Sequence, residues 1–179
     1  MVNNAINPFY IIFLTPLFAI MWDFLERKKI DPSTPMKFGL AFIFLGIGYY
    51  IFVMGGVAGV ATGYMPMIYF LLGYLVITTG ELFLSPIGLS MITKLTPLQM
   101  VGFMMGLWFL ASAFGQHLAG MMGAHMSVPH EDSGAIIAAV RSLPIYMEGC
   151  KQIAYVSLGG GLFIILLSPV IRKLMNGVH

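Results

Sequence analysis

Five apolar runs, each about as long as a lipid bilayer is thick, leave this chain of 179 residues little choice of fold class. They lie at 6–24, 37–54, 65–92, 98–123 and 152–171. A helix crosses the hydrocarbon core in roughly 20 residues. Lipid offers no partner for backbone N–H and C=O groups, so a spanning segment must satisfy its own, which a helix does. A membrane β-barrel would instead show alternating segments of roughly ten residues. Only 9% of residues are charged, against about 25% in an average soluble domain. The expected fold is therefore all-α, a polytopic helical membrane protein with five transmembrane helices in contact with membrane lipid. The net charge of +2 gives no basic surface for nucleic acid, and the single cysteine, Cys150, excludes an internal disulfide.

Local signals punctuate these runs. Thr34 before Pro35 predicts a helix start, with Thr34 as N-cap and Pro35 in the first turn. Gly55, Gly59 and Gly63 follow the second run at four-residue spacing, and they read as a flexible connector rather than a packing edge. Thr96-Pro97-Leu98-Gln99 has the form of a capping box, with Thr96 as N-cap. Gly102 and Gly106 form a GxxxG pair that permits close helix contact in the fourth span. Residues 124–151 form the one long polar segment, expected as a loop holding a short helix over 135–142 that Pro144 ends.

Lysine and arginine fall unevenly among the connections. Arg27, Lys28, Lys29, Lys37, Lys94, Arg172 and Lys173 collect on one side of the membrane, with Arg141 and Lys151 on the other. The excess of positive charge marks the cytoplasmic side, so the N-terminus is expected outside and the C-terminus inside.

One residue breaks the apolar pattern. Glu81 lies near the middle of the third run, and it is the only acidic residue well inside any of them. An ionisable group at that depth costs several kcal/mol and marks a functional position by default. Ser85 shares its helical face one turn on. Pro86 removes a backbone donor and crowds the carbonyl of Leu82, which predicts a kink. A carboxylate, a hydroxyl and an interrupted hydrogen-bond ladder together suit a membrane binding site. His117 reads as a packing histidine rather than a proton relay. His125, His130, Glu131 and Asp132 lack metal-site spacing, so no metal is expected. The chain has neither a GxSxG nor an HExxH motif, which argues against an intramembrane enzyme.

The stretch from Gly80-Glu81-Leu82 through Ser85-Pro86-Ile87-Gly88-Leu89-Ser90, then Thr93-Lys94-Leu95-Thr96-Pro97, then Gly102 through Met104-Met105-Gly106-Leu107-Trp108-Phe109-Leu110, resembles the proton-dependent oligopeptide transporter family. Asn7-Pro8-Phe9 with Thr15-Pro16-Leu17-Phe18-Ala19 resembles the start of that family's eighth helix, and Leu143-Pro144-Ile145-Tyr146 its last extracytoplasmic loop. The resemblance implies the major facilitator fold, two six-helix bundles around a central site, with this chain matching helices eight to twelve. It also implies a proton-coupled di- and tripeptide symporter, not an enzyme, in a bacterial inner membrane. The proton would be the coupling ion, with no other cofactor.

By the same resemblance, Asn7, Glu81, Ser85 and Trp108 would form one wall of a peptide site at the bilayer midplane, and Glu81 would also couple proton and substrate. The family's Glu-x-x-Glu-Arg motif has no counterpart here, so the expected partner is the missing N-terminal bundle of the same transporter. The alternatives are a truncated, non-transporting membrane remnant, or a relative carrying another substrate such as nitrate.

Overall fold

A computed structural model describes residues 3–28, 32–60, 62, 64–126 and 135–174. Their regular structure is entirely helical: α1 (Asn3–Arg27), α2 (Thr34–Gly59), α3 (Met67–Leu95), a 3₁₀ turn (Leu98–Met100), α4 (Val101–Met126) and α5 (Ala135–Leu174). Five segments are long and apolar enough to cross a membrane: Ile6–Leu25, Thr34–Gly59, Met67–Leu95, Leu98–Ala124 and Leu143–Ile171. The five expected spans are thus present, and most extend beyond the apolar runs into polar flanks.

Several local expectations change. The N-cap of α2 is Ser33 rather than Thr34, and its side chain makes no capping bond. The Ser33 carbonyl accepts from the Lys37 N–H at 3.0 Å. Pro35 sits in the first turn, where a missing N–H costs nothing. Thr96 does not open a helix but closes one: its N–H reaches the Ile92 carbonyl at 3.1 Å, ending α3. Its extended backbone (φ −102°, ψ 134°) is what a residue before proline prefers. The following 3₁₀ turn is capped by Pro97 without a side-chain bond.

Gly55 and Gly59 belong to α2, not to a connector. They are buried where the chain folds back onto Tyr64, Met65 and Tyr69. Thr62 ties that turn by donating its hydroxyl to the carbonyls of Gly59 and Tyr64, both at 3.2 Å. The short helix expected over 135–142 is present, but Pro144 does not end it: α5 continues through the rest of the expected loop and through both Pro144 and Pro169. Pro144 lies at the edge of the membrane-crossing part, which starts at Leu143, and membrane helices tolerate proline because neighbouring groups satisfy the freed carbonyl. Gly63, His130, Glu131 and Asp132 lie outside the described residues.

Helix α2 is the centre of the bundle and packs antiparallel against both α3 and α5. Apolar association gains nothing from lipid, so close approach of backbones at small residues does the work. Against α5, Gly39 meets Ile165 and the Gly161 carbonyl, Gly46 meets Leu158 and the Ala154 carbonyl, and Gly56 meets Met147. Against α3, Gly48 meets Ile77 and the Gly73 carbonyl, and a Cβ on Gly80 would lie 2.8 Å from the Ala41 carbonyl. Between these seams Phe52, Ile77 and Cys150 are buried, with Tyr49, Phe70, Tyr74 and Tyr146 around them. At the end of α2 nearer Ser33, the Ser33 and Ser168 hydroxyls pair at 3.1 Å, joining it to α5.

The outer helices are held differently. α1 is fixed to α3 through Phe83, whose ring takes Phe18 and Trp22 edge-on at 5.4 and 5.2 Å and stacks on Phe44 of α2 at 5.3 Å. Lys37 then lies over the Trp22 ring, 4.2 Å from its centre. α4 touches α3 and α5 lightly. No part of the most apolar stretch of α1 or of α4 is buried. A Cβ at Gly102 or Gly106 would meet nothing within 4 Å, so the close contact this pair permits is not used among the described residues. For the same reason His117 is exposed on α4 rather than packed.

Candidate functional site

The site is built on one stripe of α3. Residues 81, 85 and 88 are four and three apart, so they share a helical face. Glu81 and Ser85 are exposed on that face, and Gly88 is buried. α1 reaches the stripe near Glu81, and α4 reaches it at Gly88.

Asn7 brings α1 into direct contact with Glu81. Its side-chain Nδ2 donates to Glu81 Oε2 at 3.0 Å. Its other end is also engaged, since the Thr78 hydroxyl donates to Asn7 Oδ1 at 2.7 Å. The amide therefore bridges two positions of α3, 78 and 81, that lie one turn apart on neighbouring parts of its surface. The sequence pattern favours this arrangement: Pro8 follows Asn7 within the first turns of α1, and Tyr10 donates its hydroxyl to the Leu71 carbonyl at 3.3 Å. Both contacts fix the beginning of α1 against α3.

Trp108 is held by shape. Its six-membered ring covers Gly88, so any Cβ at that position would overlap ring carbons. Ser112, one turn further along α4, donates its hydroxyl back to the Trp108 carbonyl at 3.0 Å. Asn7 and Glu81 are thus in contact, Trp108 is seated seven residues further along α3, and Ser85 lies exposed between them in sequence.

Thr78 was not among the residues singled out from the sequence. It is completely buried (0% exposed). Its signal was faint: a hydroxyl three residues before Glu81, beside a second threonine, in an apolar run. Thr79 shows the ordinary use of such a group, donating to the Leu75 carbonyl of its own helix at 2.9 Å. Which of the two threonines reaches across to α1 depends on helix rotation, which composition does not reveal.

No group of three or more His, Cys, Asp or Glu side chains suited to a metal occurs among the described residues. The arrangement offers instead a carboxylate with one oxygen held by an amide, on a face left uncovered by the described chain, flanked by a hydroxyl and an indole. Such a set suits a ligand with a cationic end and an apolar or amide body.

Five membrane-length helices with an anchored carboxylate inside one of them define an integral membrane protein of the polytopic helical class, and its solved neighbours are transporters. The sequence model of the POT family matches residues 2–141, and the chain belongs to that family. Among curated relatives, the peptide transporter YePEPT of Yersinia enterocolitica is 35% identical over 179 residues, covering 98% of this chain and 32% of the relative. Dipeptide and tripeptide permease B of Salmonella typhimurium is 30% identical over 173 residues, covering 97% of this chain and 35% of the permease. A peptide transporter POT solved in complex with sulfate superposes with a TM-score of 0.75 at 30% identity, over 94% of this chain and 31% of that one. A bacterial homologue of the human drug peptide transporters PepT1 and PepT2 gives 0.73 at 26% identity, over 96% and 33%. The chain spans about a third of the length of the curated relatives it matches.

Proposed function

We propose that this chain forms one wall of the peptide site of a proton-coupled di- and tripeptide symporter, the other wall coming from a second helical bundle. The observation that carries the reading is the hydrogen bond from Asn7 to Glu81 inside a membrane span. A carboxylate at that depth demands compensation, and here one oxygen is compensated by a neutral amide while the side chain remains exposed. An α-ammonium group supplies the missing positive charge. When the peptide leaves, a proton neutralises the same carboxylate, so one residue alternates between two cationic partners and links their movements. Ser85 and the Trp108 ring take the polar backbone and the side chains of the peptide. The lysine and arginine distribution supports an N-terminus outside and a C-terminus in the cytoplasm, and the bacterial relatives support a bacterial inner membrane.

The test is proton-driven uptake of a labelled dipeptide into proteoliposomes, with the chain alone and with a family-matched N-terminal bundle, each also as Glu81→Gln. Uptake is expected only with the second bundle and is abolished by Glu81→Gln. Uptake by the chain alone would refute the need for a second wall. Uptake that survives Glu81→Gln would refute the coupling role. Absence of uptake in every combination would replace this reading with that of a non-transporting membrane piece.

A further inference from the structure

We infer that Thr78 is the positioning residue of this site. Its buried hydroxyl sets which end of the Asn7 amide faces Glu81. The inference rests on the reading of Asn7 and Glu81 as the peptide site.

A carboxamide is nearly symmetric in shape but not in chemistry. One end donates two hydrogen bonds and the other only accepts. Glu81 as a carboxylate only accepts, so it requires the Nδ2 end. A reversed amide would set Oδ1 against a carboxylate oxygen, two acceptors with no proton between them. The shape of α1 does not enforce the choice, because both ends are of similar size. Thr78 does enforce it. Its hydroxyl donates to Oδ1 at 2.7 Å and is fully enclosed. Reversing the amide would turn that contact into one from Nδ2 to the hydroxyl oxygen, leaving the buried hydroxyl proton to find a new acceptor, which is costly at a site closed to water.

The experiment uses the full chain in liposomes of phosphatidylethanolamine and phosphatidylglycerol, labelled with 15N-asparagine and 13C-glutamate. Magic-angle-spinning NMR reads the Asn7 side-chain amide, assigned with Asn7→Ala, and its dipolar coupling to the Glu81 carboxyl carbon, assigned with Glu81→Gln. In the unmutated chain at high pH, strong coupling between Nδ2 and the carboxyl carbon is expected. Weak coupling there would overturn the inference without any variant having to fold. Thr78→Val, which keeps the shape but lacks the hydroxyl, should weaken the coupling, and Thr78→Ser should restore it. An unchanged coupling in Thr78→Val, or no recovery in Thr78→Ser, would overturn the inference.

Uptake of labelled dialanine after complementation supplies the second arm. Thr78→Val should raise KM about five- to tenfold, equivalent to the loss of one hydrogen bond, while kcat changes less than twofold and Thr78→Ser recovers KM. An NMR response with a KM indifferent to Thr78 would keep the amide orientation but overturn the assignment of Asn7 and Glu81 to the peptide site.

Discussion

Replacing Gly48 by alanine tests the packing logic of the whole bundle. A Cβ at this position would lie 2.5 Å from Ile77 Cγ1, 3.0 Å from the Gly73 carbonyl oxygen and 3.2 Å from the Ile77 backbone nitrogen. Carbon atoms in ordinary contact are about 3.5–4.0 Å apart. The Ile77 side chain can rotate away, but the two backbone atoms cannot. α2 and α3 must therefore separate by several tenths of an ångström along the seam that encloses Phe52 and Ile77. Overpacking of this kind costs about 1–3 kcal/mol, offset by up to about 1 kcal/mol from the better helix propensity of alanine. The expected net loss is about 1–2 kcal/mol, or roughly 2–8 °C in Tm for a chain of this size. The control is Gly102→Ala, where the new Cβ meets nothing within 4 Å; its stability should be unchanged or slightly higher. Thermal unfolding in detergent, followed by circular dichroism, measures both. A Gly48→Ala chain at least as stable as Gly102→Ala would refute the claim that backbone approach at glycine holds α2 to α3.

Three further outcomes follow from contacts described above. Asn7→Ala removes the bond to Glu81 and should raise the KM for dipeptide in the complemented uptake assay about ten- to a hundredfold, since hydrogen bonds to charged groups contribute about 1.5–3 kcal/mol; an unchanged KM would separate Asn7 from the site. Gly88→Ala should expel the Trp108 ring from its seat, read in a Trp22→Phe background as a shift of indole emission and altered quenching by brominated lipid, and identical spectra would show that the ring rests elsewhere. Ser168→Ala breaks the hydroxyl pair with Ser33 and should cost about 1 kcal/mol, with a double-mutant cycle against Ser33→Ala giving clear coupling; additivity would show that the pair contributes nothing.

Span number and type were legible because a bilayer imposes a length, and runs of that length stand out in any apolar sequence. The ends of the helices were not. Hydropathy reports where lipid begins, whereas a helix ends where its backbone finds other partners. Ala135–Leu174 therefore continues as a helix well outside the apolar run, and Thr96 terminates α3 despite its resemblance to an N-cap. Glycine spacing did not separate the two cases. Gly55 and Gly59 pack within α2, while Gly102 and Gly106, at the same four-residue spacing, face open space. Spacing marks where a close approach is permitted, and only the neighbouring helix decides whether it happens. At the candidate site, Glu81 stands out by its cost in lipid, and the family resemblance pointed to Asn7, which the structure brings into contact with it. Thr78 stayed hidden because a threonine in a membrane helix is inexpensive when it bonds to its own backbone, and nothing in the sequence distinguishes it from Thr79.

The order in which the chain is made gives the glycine seams of α2 unequal histories. α3 emerges soon after α2, so the seam at Gly48 and Gly80 can close as a local hairpin while synthesis continues. The opposite seam, at Gly39, Gly46 and Gly56, waits for α5. Throughout the insertion of α3 and α4 that face of α2 stays bare, a groove of exposed backbone open to lipid or to a wrong helix. α4 enters the membrane during this interval and ends with only light contact. The last helix thus acts as a clasp, and a nascent chain arrested before Ala135 would carry that groove unfilled.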